Sequence, residues 1–116
     1  VLQDRRPTVW LQGGWNEIFK LDRISQGTGM NIEKANDLTI NSLQEFLKYM
    51  SAVWSSSKDY LANLDTGDLG KKFIVRPMGE RSASQVLTEN LLTHGFTHLG
   101  EISMLKRLQN LGSSTI

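Results

Sequence analysis

The sequence predicts an all-α protein made of two long antiparallel helices and an irregular N-terminal arm. Apolar residues recur at steps of three and four over residues 42–64 and again over residues 82–110, and each stretch opens on a capping signal. Glycines and prolines interrupt residues 1–41 and 65–81, which argues against long helices there. A length of 116 residues is typical of one domain, residues 1–116.

Residues 1–41 form the predicted arm. Gly and Pro punctuation limits it to short helices, one over residues 15–21 and one that begins after an Asn31 cap. The arm also carries several large apolar side chains, which are Trp10, Trp15, Ile18 and Phe19. They are too apolar for a free tail, so the arm is expected to pack on another element.

The first long helix is predicted over residues 42–64. Ser42 and Glu45 form a capping-box pattern, in which the serine oxygen accepts a backbone N–H and the glutamate reaches back. The apolar stripe of this helix follows alternating steps of four and three: Leu43, Leu47, Met50, Trp54, Ser57, Leu61 and Leu64. Three further residues widen this face: Phe46, Val53 and Tyr60. This is the wide apolar face of a bundle helix.

A strap over residues 65–81 precedes the second long helix. Residues 73–75 are expected to be extended, as a crossing strap or a short strand. A second capping box, Ser82 to Gln85, opens a helix over residues 82–110. The predicted core face of this helix consists of Val86, Leu87, Leu91, His94, His98, Ile102, Leu105 and Leu108.

The width of the two apolar faces predicts a homodimer. A bundle normally closes with three or four helices, whereas this chain supplies two. Two chains would therefore associate into a four-helix core, with two helices from each. The alternative is a monomer in which the arm folds over the open face. Gly95 and Gly100, inside the second helix, are expected to allow close approach of a neighbouring backbone.

Composition and charge exclude several classes of protein. With 13 Lys+Arg against 12 Asp+Glu, the net charge of +1 gives no electrostatic basis for nucleic-acid binding. The absence of cysteine excludes disulfides, thiolate nucleophiles and cysteine-ligated zinc. No apolar run approaches the roughly 20 residues that span a membrane, and no secretory signal is visible. A cytoplasmic protein with no membrane or nucleic-acid partner is expected.

The chain has two histidines, His94 and His98, four residues apart on the second long helix. This spacing places them about 40° apart on one helix face, as when one helix donates two imidazoles to one metal. Glu101 follows on the same side. Two imidazoles and a carboxylate suit zinc, nickel, iron or manganese. The other interpretation is a pair of core histidines that are hydrogen-bonded within a bundle.

The segment HGFTHLGEI, from His94 to Ile102, resembles the last-helix signature of the DinB/YfiT-like metalloenzyme superfamily. That signature runs approximately H-x3-H-x-G-[QE]-[ILV] and is followed by a turn rich in Leu and Arg. The order of helix, strap and helix is similar as well, so the likeness covers about residues 39–112. Residues 1–38 resemble only the variable connector of the family.

The resemblance implies a four-helix bundle of DinB type that binds a divalent metal through three histidines. It assigns His94 and His98 to the ligand pair of the last helix, while the first two helices of the family and the third histidine have no counterpart here. The third ligand is then Glu101 or a histidine of a second chain; otherwise the site is a relict and the pair only packs.

The function that the resemblance implies is divalent-metal binding with thiol-transferase-like chemistry, because relatives include thiol-dependent transferases and isomerases. The ligand would be a small molecule such as a thiol, and the metal would act as a Lewis acid. The alternative is a non-catalytic homodimeric binding or interaction module that has lost the metal site. Whether the chain is an enzyme stays open at this point.

Overall fold

The computed structural model describes residues 7–24, 27 and 29–112, which fall into two compact units, residues 7–64 and 65–112. The mainly helical architecture is confirmed. The first unit contains α1 (Val9–Gln12), α2 (Trp15–Ile18), α3 (Ile32–Asp37) and α4 (Leu43–Ala62). The second contains a 3₁₀-helix (Thr66–Gly70), β1 (Lys72–Val75), β2 (Gly79–Ser82), α5 (Ala83–Gln85), a π-helix (Val86–Thr93) and α6 (His94–Leu108). Residues 1–6 of the predicted arm lie outside the described residues, and the single-domain organisation stays a prediction.

Local capping signals set the start of the helices in the first unit. The Asn31 side chain accepts from two backbone N–H groups of α3, as predicted. The Ser42 hydroxyl accepts from the backbone N–H of Glu45 at 3.3 Å and so caps α4. The Glu45 carboxylate pairs with Lys48 at 2.6 Å instead of returning to Ser42, so this capping box is half formed. The helix ends at Ala62, two residues before the predicted end.

The arm packs on α4 through an aromatic cluster, which confirms the expectation that it is not a free tail. Phe19 lies at the centre of this cluster and is 3% exposed. Its ring is stacked at 6.0 Å from Trp10 and 6.2 Å from Trp15, and meets Phe46 of α4 edge-on at 6.4 Å. Tyr49, one turn further along α4, contacts both tryptophan rings.

The arm covers one flank of α4 and leaves the predicted stripe open. Five large apolar side chains of the stripe are 50–67% exposed: Leu43, Leu47, Met50, Trp54 and Leu61. The described part of the arm therefore does not fold over this open face. The reason is that α1 and α2 pack beside Phe46 and Tyr49, which lie to one side of the stripe.

The second unit is built on a β-hairpin. β1 pairs antiparallel with β2, with Phe73 opposite Arg81, and the connecting turn ends at Gly79, whose φ of 81° favours glycine. The predicted extension of residues 73–75 is confirmed, whereas the second strand is polar and was not predicted. The buried apolar side chains of this unit, among described residues, are Val75, Ala83 and Val86.

The predicted helix over residues 82–110 is divided in the structure. The capping box of Ser82 and Gln85 is confirmed in both directions. Residues 86–93 then form a π-helix, which no pattern in the sequence predicted. In this wider turn the Thr93 hydroxyl donates to the carbonyl of Thr88, five residues earlier, at 3.0 Å. In α6 the Thr97 hydroxyl donates to a carbonyl four residues earlier, at 3.3 Å.

The predicted core face of this segment is correct only at its beginning. Val86 is buried and Leu87 is half-buried. Beyond them the predicted core residues are exposed: Leu91, His94, His98, Ile102, Leu105 and Leu108. The physical reason is that the described part of this unit contains no second long helix to cover α6.

The glycines of α6 stand in open space, contrary to the expectation of close backbone approach. A Cβ atom built at Gly95 or Gly100 would have no neighbour within 4 Å.

We therefore expect Gly95→Ala to raise the free energy of unfolding by about 1 kcal/mol, because alanine restricts the unfolded chain and favours the helix. Chemical denaturation measures this. Gly79→Ala is the contrasting control, because Gly79 has a positive φ, and this change should lower the free energy of unfolding. A lower free energy of unfolding for Gly95→Ala would contradict the open space around Gly95.

Candidate functional site

The three residues of the predicted site lie together on the exposed surface of α6. The His94 and His98 rings are one turn apart, with centroids at 4.4 Å and an interplanar angle of 80°. Their Nε2 atoms are 2.9 Å apart. On the other side of the ring, His98 Nδ1 lies 2.7 Å from Glu101 Oε2. The three side chains therefore form a continuous hydrogen-bonded chain.

The chemistry of the groups assigns the direction of these hydrogen bonds. An ionised carboxylate only accepts, so His98 Nδ1 carries the proton that is donated to Glu101. In the neutral ring the Nε2 atom of His98 is then an acceptor, and His94 Nε2–H donates to it. Glu101 thereby sets the tautomer of His98 and turns the lone pair of its Nε2 toward His94.

The pair is accessible to solvent, which contradicts the interpretation of buried core histidines. The side chains of His98 and Glu101 are 55% and 60% exposed, and His94 is exposed as well. The two histidines are hydrogen-bonded, but to one another and not across a bundle. The two imidazole side chains are therefore in contact with solvent.

The two imidazoles have the spacing of a two-point chelate. Two nitrogens bound to one tetrahedral zinc are about 3.3 Å apart, close to the 2.9 Å seen here. To bind a metal, His94 would have to carry its proton on Nδ1 instead of Nε2, and both rings would have to turn their Nε2 lone pairs from each other toward the ion. Glu101 contacts Nδ1 of His98, the ring nitrogen opposite the one that faces His94. No group of three His, Asp or Glu residues within the described ranges is arranged to hold a metal ion.

Two basic residues of the hairpin lie near acidic side chains. Lys72 contacts Glu80 at 2.7 Å, and Arg81 lies 4.0 Å from Glu89. Asn90 of the π-helix donates to the sulfur of Met78 at 3.1 Å. The contacts of Glu89 and Asn90 join the π-helix, which ends just before His94, to the hairpin, and no sequence pattern predicted them.

Comparison with known proteins leaves the family undetermined. No family model matches the chain, and neither the curated proteins nor the solved structures that were compared gave a match. Among the helices of the described residues, none has the length and apolar character needed to cross a membrane.

Proposed function

We propose that this chain is a helical-bundle protein that binds a divalent transition metal through Nε2 of His94 and Nε2 of His98. One observation carries the proposal: the two Nε2 atoms face each other at 2.9 Å while Glu101 holds the far nitrogen of His98. A histidine that binds a metal almost always donates its other N–H to such a partner. The similarity of HGFTHLGEI to the DinB/YfiT-like signature supports the same function.

The ligand set favours borderline metals, with zinc and nickel ahead of iron and manganese. Two protein ligands leave coordination positions for a small molecule such as a thiol, and the bound metal would supply Lewis acidity toward it. Glu101 would accept the hydrogen bond from His98 Nδ1–H and keep that ring oriented. A cytoplasmic location belongs to this proposal, since cytosolic thiols would be the accessible ligands.

Titration of the metal-stripped chain with zinc and nickel tests the proposal. We expect micromolar or tighter binding that the double variant His94→Ala/His98→Ala removes. Thr97→Ala is the matched control, because it alters the same helix turn without removing an imidazole. The number of metal ions bound per chain then shows whether each chain binds one ion or two chains share one. Binding that is indifferent to the double variant would refute the proposal.

The second candidate is a non-catalytic homodimeric interaction module. The exposed stripe of α4 favours it, because large contiguous apolar patches on a protein surface mark interaction sites. A chain that binds neither zinc nor nickel and still associates with itself would support this function over the first.

A further inference from the structure

We propose that α4 is a self-association surface on which the exposed stripe packs antiparallel against the same stripe of a second copy. The stripe consists of Leu43, Leu47, Met50, Trp54 and Leu61. The proposal concerns the first unit and does not depend on metal binding by α6.

The spacing of the stripe is that of a coiled-coil seam. Its members follow alternating steps of four and three, and the single gap in the series within the helix is the small residue Ser57. This 3.5-residue period keeps one narrow line of side chains facing a partner helix along its whole length. The helix has 20 residues, which corresponds to about 30 Å of seam.

The exposed area is sufficient for a weak specific dimer. The five side chains are 50–67% exposed in the chain as it stands. At roughly 100 Å² for each, two copies would bury about 1,000 Å², the lower limit for a specific interface. The aromatic cluster of the arm lies on another flank of α4, so the arm does not have to move for a second copy to dock.

The stripe is self-complementary when the two helices run in opposite directions. Four of its five residues are symmetric about position 52: Leu43 mirrors Leu61, and Met50 mirrors Trp54. The fifth, Leu47, would face Ser57 of the other copy. A two-fold axis at that level would place each tryptophan ring on a methionine of the other copy, a favourable contact between sulfur and an aromatic ring. The opposed helix dipoles favour the same direction.

The charges at the edge of the stripe are compatible with this packing. The residues that flank the seam on its solvent side are Gln44, Ser51 and Lys58. In the antiparallel arrangement Lys58 of one copy faces the partner's Gln44, so the two lysines stay far apart. No like charges meet along the seam.

The molecular mass in solution, measured over a range of protein concentrations, tests the proposal. EDTA is present to prevent dimers that are bridged by a metal ion. We expect the mass to rise toward twice 13.1 kDa at high micromolar concentration. Leu47→Glu should weaken dimerisation at least tenfold, whereas Ile32→Glu, at a 74% exposed site in α3, should not. A single-chain mass throughout, or an equal effect of both variants, would overturn the proposal.

Cross-linking between single introduced cysteines tests the direction of packing, because the chain has no cysteine of its own. Ser51→Cys lies close to the two-fold axis and should be joined to its copy by a short bis-maleimide. Leu43→Cys should not, because an antiparallel partner places its copy about 27 Å away. Cross-linking at Leu43→Cys but not at Ser51→Cys would indicate parallel helices and overturn the proposal, as would no cross-link at either position.

Discussion

Replacing Phe19 with alanine is expected to lower the free energy of unfolding of the first unit by about 3–5 kcal/mol. Phe19 is 3% exposed and its ring contacts Trp10, Trp15 and Phe46. Removing it leaves a cavity at the only place where the described arm holds α4 through aromatic rings. Small domains have little stability in reserve, so the arm should detach from α4 in much of the population.

Chemical denaturation followed by tryptophan fluorescence measures this loss, because Trp10 and Trp15 both belong to the cluster. Ile18→Ala is the matched control: Ile18 is the preceding residue in sequence and is 42% exposed. Its effect should remain near or below 1 kcal/mol. Equal losses at the two positions would mean that the ring cluster does not hold the arm.

Removing one imidazole is expected to weaken zinc binding by at least 100-fold, because a single exposed histidine does not chelate. His98→Ala therefore should behave almost as the double variant does. Glu101→Gln should cost less, about 10–100-fold, since an amide oxygen still accepts from His98 Nδ1 but polarises the ring less. Calorimetric titration of the unmodified chain, His98→Ala and Glu101→Gln in one buffer gives the ranking of their zinc affinities.

This ranking also decides the role of Glu101. As an orienting carboxylate, Glu101 is expected to matter less than either histidine. If Glu101 were itself a ligand, Glu101→Gln and His98→Ala would weaken binding equally. Thr97→Ala should leave the affinity unchanged and shows that the helix turn is intact.

The residues of the candidate site were predictable, whereas their roles were not. Spacing alone places His94, His98 and Glu101 on one face of a helix, because every α-helix repeats at 3.6 residues. Spacing does not state which ring nitrogen meets which partner, since this depends on side-chain torsions. The orienting position of Glu101 and the facing Nε2 atoms come from those torsions. Solvent access to the pair required the structure as well.

The sequence by itself determined the features that depend on contacts within one turn. The Asn31 cap, the Ser42 cap and the Ser82–Gln85 box are bonds between residues two or three apart, so they form wherever the helix forms. The same holds for the mainly helical composition and for the extension of residues 73–75. Here local geometry and residue type leave few alternatives.

Only the tertiary structure decided where the arm packs, which strand pairs with β1 and where the last helix widens. The arm has apolar side chains that suit several surfaces, and the aromatic contacts at Phe19 select one flank of α4. β2 is polar and is a strand because β1 supplies its hydrogen-bonding partners. The π-helix contacts the hairpin through Asn90, which bonds Met78, and Glu89, which lies near Arg81. Each of these features depends on contacts between different elements, and no periodicity within one element encodes such contacts.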